Sequence, residues 1–207
     1  MNFFYKIILL SLAITCSSCQ QKNDKPATSL FNGQNLTNWK STNFGGEGEV
    51  SIQDGQIHLG YGYPCTGITW TGQKLPTDFY AIEFDAKKLE GNDFFVGLTF
   101  PVRDDFCSLI LGGWGGTTCG LSSFDYSDAA NNETSMLMDF EPHKWYGIRM
   151  EVAGDTLRAF VDQQKIIETT IQGRKVHVRS EVEPSKPLGL CAFETITRYK
   201  NIRITEL

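Results

Sequence analysis

The feature that most constrains this chain is a two-residue hydrophobic period, which recurs along its length with no sustained helical period between occurrences. Tyr80, Ile82, Phe84 and Ala86 fall on one side of an extended segment, and Ala81, Glu83, Asp85 and Lys87 on the other. Phe94, Val96, Leu98 and Phe100 alternate with Phe95, Gly97 and Thr99. Tyr146, Ile148, Met150 and Val152 alternate with Gly147, Arg149 and Glu151, and Leu157, Ala159 and Val161 alternate with Arg158, Phe160 and Asp162. Such segments place an apolar wall on one face, as antiparallel sheets lying on a core require. Asp54-Gly55, Ala153-Gly154-Asp155 and Asp162-Gln163-Gln164 are short enough to close hairpins. Roughly a dozen such strands imply an all-β protein, a two-sheet antiparallel sandwich. Phe84, Phe94, Val96, Leu98, Ile148, Met150, Leu157, Val161, Leu190 and Ile204 are expected in its core. One short helix is expected near residues 128–134.

The N-terminus has a different character. Residues 1–6 carry one net positive charge, and residues 7–14 form an apolar run too short to span a bilayer, which takes about 20 residues. This reads as a signal peptide over residues 1–18. Cys16-Ser17-Ser18-Cys19-Gln20 looks like a lipoprotein processing site. Cys19 is the expected lipidated residue, because Ser18 before it is smaller than Thr15 before Cys16. Residues 19–28 then form the lipidated cysteine and a polar tether, and residues 29–207 the folded domain. A lipid anchor holds a protein at a membrane without spanning it. The expected location is the bacterial cell envelope, as a periplasmic or outer-membrane lipoprotein.

A net charge of -5 and the lack of a basic stripe exclude a nucleic-acid partner. Cys65, Cys107, Cys119 and Cys191 remain in the domain; an oxidising envelope permits disulfides, and four cysteines allow three pairings. No CxxC, HxH, HExxH, GxSxG or phosphate-binding loop occurs. No metal site and no cofactor is therefore expected. Asp125, Asp128 and Asn131 offer oxygen ligands of the kind Ca²⁺ takes, but without the EF-hand spacing or its central glycine.

Two segments resemble a known family. Leu30-Phe31-Asn32-Gly33-Gln34-Asn35-Leu36-Thr37-Asn38-Trp39 is similar to the opening "LFNG-(K/Q)-(D/N)-L-x-x-W" of the 3-keto-disaccharide hydrolase domain family. Pro187-Leu188-Gly189-Leu190, with Tyr199-Lys200-Asn201-Ile202-Arg203-Ile204, resembles its close. The resemblance implies a concanavalin-like jelly roll and an activity on 3-keto-glycosides. In the middle the chain departs from the family pattern. Its "N-S-G" segment is Asn92-Asp93-Phe94-Phe95-Val96-Gly97, its "E-(V/Y)-Q" strand is replaced by a strand ending in Gly112-Gly113-Trp114-Gly115-Gly116, and its "L-Q-(D/N)-H-G" is Leu190-Cys191-Ala192-Phe193-Glu194. These differences mark a divergent subgroup with a GGWGG motif.

Glycines on both sides of Trp114 strip away the side chains that would cover its indole, so Trp114 is the expected sugar platform. Asn132 and Glu133, in a polar loop that follows, are expected to line the same cleft, with Asp93 nearby. Glu133 or Asp93 is the candidate base, and Asn132 or Arg149 the candidate partner of an enolate oxygen. Trp70 and Tyr63 are further candidate platforms. The face bearing Glu83, Asp85 and Arg149 is the alternative site. The expected function is cleavage of 3-keto-glycosides or related disaccharides. The alternative is a non-catalytic carbohydrate-binding module.

Overall fold

A computed structural model describes residues 26–207. The processing site at Cys16 and Cys19 lies outside the described residues.

The strands, in chain order, are β1 (Thr28–Ser29), β2 (Trp39–Ser41), β3 (Val50–Gln53), β4 (Gln56–Leu59), β5 (Cys65–Trp70), β6 (Tyr80–Gly91), β7 (Val96–Val102), β8 (Asp105–Gly113), β9 (Thr118–Ser122), β10 (Met136–Leu137), β11 (Tyr146–Ala153), β12 (Thr156–Val161), β13 (Gln164–Thr170), β14 (Gly189–Phe193) and β15 (Thr195–Glu206). They form two antiparallel sheets. The first runs β13-β12-β11-β6-β15-β4-β3, with β1 added to β15, and the second runs β10-β9-β8-β7-β14-β5-β2. This is the expected jelly-roll sandwich.

The turns follow from local chemistry. Asp54 and Gly55, and Asp162 and Gln163, have positive φ at both positions of their two-residue turns. That backbone twist matches the flanking strands of a tight hairpin. Of the opening motif, Leu30 and Phe31 are buried, and the Trp39 indole N–H donates to Leu30 O at 2.7 Å. The Asn32 side chain accepts from the backbone N–H of Gln34 and Asn35, which fixes the intervening turn. The motif that carries the resemblance is thus packing and turn, not chemistry.

The core lies between the sheets. Phe84 meets Tyr199 edge-on at 5.8 Å, and Phe95 meets Phe140 at 4.7 Å. Nine of the ten expected core residues are buried, and the exception is Phe94. Strand β7 begins only at Val96, and residues 92–95 bend, with the Asp93 carboxylate accepting from the Phe94 N–H at 2.7 Å. The bend swings Phe95 into the core and Phe94 onto the outer face, against Phe193 at 5.7 Å. The helix expected at residues 128–134 is instead a pair of turns. Asp128 accepts from the Ala130 N–H, and Asn132 binds three carbonyls, so side chains take the backbone partners a helix would use. The only helix among the described residues is a 3₁₀ turn at Ser180–Ser185.

The two sheets differ on their outer faces. In the first sheet, buried and partly exposed residues alternate, as in Tyr146–Ala153. In the second sheet, β5, β7 and β9 are buried at every position. The segment carrying Val178 and Val182 packs there with Cys191, Phe44, Phe94 and Phe106 as a second small apolar cluster. Glycine makes this close approach feasible. A Cβ on Gly120 would come within 2.7 Å of Ala129 O, and one on Gly189 within 2.6 Å of Ser185.

Candidate functional site

The cover leaves one cleft open on the outer face of the second sheet. It encloses about 190 Å³ between the β8–β9 turn and the 3₁₀ turn. Its lining includes Trp114, Asp93, Phe94, Phe193, Ile110 and Cys65, with Arg179, Glu181 and Val182 on the opposite wall.

The GGWGG motif builds the β8–β9 turn. Trp114 has φ 47° and is 43% exposed, while Gly115 and Gly116 have φ of 95° and 104°. The Gly116 N–H donates to Gly113 O at 3.2 Å, closing the turn. Side chains are strained at such φ values, so glycine is required on the C-terminal side of the indole. The turn roofs two charged groups. A Cβ at Gly113 would lie 3.6 Å from Asp93 Oδ1, and one at Gly116 3.4 Å from Lys88 Nζ. Asp93 is held by its backbone, which exchanges hydrogen bonds with the Thr195 hydroxyl at 3.0 and 3.3 Å.

Lys88 falls in the inward phase of the Tyr80, Ile82, Phe84 and Ala86 alternation. It is 8% exposed and forms no ion pair among the described residues. Burial holds its ammonium below the ordinary lysine value, while the Asp93 charge pulls the other way. Lys88 continues the inward phase of Ile82, Phe84 and Ala86, and the register of β6 on β15 is irregular just after it, between Ile196 and Thr197. Glu181 and Arg179 belong to no motif of the sequence. The Arg179 guanidinium donates to Glu181 Oε1 at 2.6 Å and to Asp128 Oδ2 at 2.9 Å, and holds the Glu181 carboxyl below its usual range.

The structure brings Trp114 and Asp93 together, and leaves the other candidate residues elsewhere. The Asn132 side chain is fully used. Its amide lies within 3.1 Å of Leu121 O, Ser127 O and Asp128 O, and its oxygen accepts from the Thr134 N–H and hydroxyl. It organises its loop and has nothing left for a sugar hydroxyl. Glu133 is outside the cleft, forked against Arg174, which also binds Asp125 at 2.9 Å. Trp70 is 5% exposed, edge-on to Trp39 at 5.2 Å, so it cannot act as a platform. Tyr63 is 73% exposed but does not line the cleft. Arg149 lies on the first sheet, paired to Glu83 at 3.2 Å and Glu151 at 2.8 Å. It borders a wider trough of about 790 Å³ over that face. Of the oxygen groups weighed for Ca²⁺, Asp125 is bound by Arg174 and Asp128 by Arg179.

Arg174 holds the Glu133 carboxyl below its usual value. A depressed folded pKa stabilises above the unfolded value, about 4.3, and that contribution is lost as pH falls through the folded value. Glu133→Gln is expected to lower stability by about 0–1 kcal/mol at pH 7, because the pair is half exposed. The difference should vanish near pH 2, as chemical denaturation at the two pH values would show.

Cys65, Cys107, Cys119 and Cys191 are all free and buried. Burial pushes the Cys107 thiol up to about 12 and the Cys119 thiol up to about 11. Cys65 is also raised, first by its hydrogen bond with Cys191 and then by burial. None of these three is a thiolate nucleophile at neutral pH.

A family model described as "3-keto-alpha-glucoside-1,2-lyase-like domain" matches residues 26–205. The chain belongs to this family. The match runs from before β1 to Thr205 in β15, so both sheets and the Trp114 cleft of this lyase-like domain lie inside it. Among curated proteins, none matches the chain. Among solved structures, the fold is similar to the carbohydrate-binding module CBM66 from Bacillus subtilis (13% identity, 83% of this chain and 98% of that one, TM-score 0.58). It is also similar to the Bacillus licheniformis beta-glucanase (10% identity, 88% and 99%, TM-score 0.58). A third similar structure is the Crh5 transglycosylase in complex with NAG (13% identity, 88% and 88%, TM-score 0.57). At these identities the likeness is one of fold, and the family membership makes this a carbohydrate-active protein.

Proposed function

We propose that this chain is an envelope-anchored enzyme that cleaves 3-keto-glycosides by elimination, in the cleft beneath Trp114. The observation that carries the reading is the half-exposed Trp114 indole and the Asp93 carboxylate lining one cleft, with the buried Lys88 ammonium behind the same glycine turn. A sugar ring stacks its C–H face on the indole, and Phe94 and Phe193 complete an apolar floor. Asp93 takes the proton from C2, beside the C3 ketone. The C–H electrons spread onto the ketone oxygen as an enolate, which collapses to form the C1=C2 bond and restore the ketone as the C1–O bond breaks, and the departing oxygen takes the proton back from Asp93 to leave as an alcohol. Lys88, behind the turn and outside the cleft lining, offsets the enolate charge from a distance. Lipidation at Cys19 would hold the domain at the membrane.

A binding module is the second reading, and the size of the cleft favours it. About 190 Å³ is below the usual 300–1,000 Å³ of small-molecule sites, enough for one ring. Incubating the purified domain with a 3-keto-glucoside and with its parent glucoside separates the two. Release of the alcohol from the keto sugar alone supports the enzyme; retention of both sugars without release supports the module. In either case Trp114→Ala should weaken sugar binding about tenfold without lowering the melting temperature, since the indole is 43% exposed. Unchanged binding in that variant would move the site away from the cleft.

A further inference from the structure

We infer that the outer face of the first sheet carries a second binding site, for the carboxylate or sulfate group of an acidic sugar. It is formed by Arg198, Lys87, Lys200 and Trp145. The site follows from strand register. His58 on β4 stands opposite Arg198 on β15, and Arg198 stands opposite Lys87 on β6. Tyr146 is paired with Ala86, which puts Trp145 at the end of the same row. Lys87 Nζ and Lys200 Nζ lie 4.5 and 4.2 Å from the centre of the Trp145 ring.

Like charges directly opposite each other across an antiparallel pair are destabilising. Elsewhere on this face the chain avoids them. Glu83 pairs with both Arg149 and Arg203, and Glu151 with both Arg149 and Arg158. In the Arg198 row no such compensation is made. Neither Arg198 nor Lys87 is in an ion pair among the described residues. The carboxylate nearest Lys200 is Asp85, at 4.0 Å and already accepting from Asn201 at 2.7 Å. The Arg198 Nε–H is enclosed without a hydrogen-bond partner, an arrangement that is unfavourable until an acceptor arrives. Lys87 and His58 both lie below their ordinary values, through burial first and then through the cations beside them, with Asp54 opposing at His58.

A single carboxylate or sulfate group satisfies the row, while the chain's net charge of -5 does not attract anions generally. Trp145, partly exposed, gives the ring that bears the anion an aromatic neighbour. That the anion is borne by a sugar rests on the family reading; that it is an anion rests on the charges alone.

The test is calorimetric titration and amide chemical-shift mapping of the full domain. The probes are tetragalacturonate, neutral cellotetraose, sodium sulfate and phosphatidylglycerol vesicles. Tetragalacturonate should bind and shift the amides of Lys87, Trp145 and Arg198, with sulfate competing for the same row. Arg198→Gln should weaken it at least tenfold while leaving the melting temperature unchanged or higher, because an opposed charge is removed. Lys87→Gln provides the same test should the first variant fold poorly. Trp114→Ala should leave this binding intact, so failure of the cleft reading and failure of this one are separable. Equal binding of cellotetraose, binding of vesicles without the tetramer, no binding of the tetramer, or shifts centred on Trp114 would each overturn the proposal.

Discussion

Asp93→Asn is expected to lower kcat on a 3-keto-glucoside by about two to four orders of magnitude, the range for loss of a general base, with KM little changed. The substitution isolates the proton transfer. The amide oxygen of asparagine can still accept from the Phe94 N–H, and the contacts to Thr195 run through the backbone of residue 93. The bend and the cleft should therefore survive. Steady-state release of the alcohol, set beside sugar binding by calorimetry, checks this. A loss of binding equal to the loss of rate would show that Asp93 holds the sugar and does not act on the proton. Glu133→Gln should leave the rate unchanged, because Glu133 lies outside the cleft, against Arg174.

The second large effect is on stability. Phe95→Ala should cost about 3–5 kcal/mol, as expected for a fully buried phenylalanine. Its ring meets both Phe140 and Tyr146, and it has no solvent exposure. Phe94→Ala should cost distinctly less, because Phe94 is only partly buried and packs in the small outer cluster. Urea unfolding of the two variants decides it. Similar midpoints would mean that the bend at residues 92–95 does not separate the two rings.

This pair of phenylalanines also shows how far the sequence could be read. The alternations in β6, β11 and β12 predicted correct inward faces, because each strand has a partly exposed side that is polar. Within β7 the alternation again gave the core side, with Val96, Leu98 and Phe100 in the main core, and it failed only at Phe94, before the strand begins. There the bend at residues 92–95 puts Phe95 inward in place of Phe94. Trp114 and Asp93 were legible because glycine and a strand-opening acid are local signals. Lys88 shares the inward phase of Tyr80, Ile82, Phe84 and Ala86, so the alternation itself placed it inside, but a lysine there reads as the strand's end and not as a group of the site. Asn132 misled for a related reason. A polar loop residue suggests ligand binding, but its hydrogen-bonding capacity was already taken by carbonyls contributed from β9 and from its own loop.

The way the 3₁₀ segment lies flat on the second sheet links positions that never touch a sugar to the cleft. Gly189 sits beneath Ser185, four residues from Glu181 and three from Val182, both of which form the cleft wall. A single methyl group added at Gly189 would have to lift that segment or displace the strand below it. In a saturation library selected for turnover, intolerance should therefore extend from the cleft down to Gly189, and to Gly120 under Ala129, as a footprint on the hidden side of the sheet. Substitutions that enlarge these two positions would alter ligand preference by tilting a wall, a route to new specificity that leaves every residue of the cleft itself unchanged.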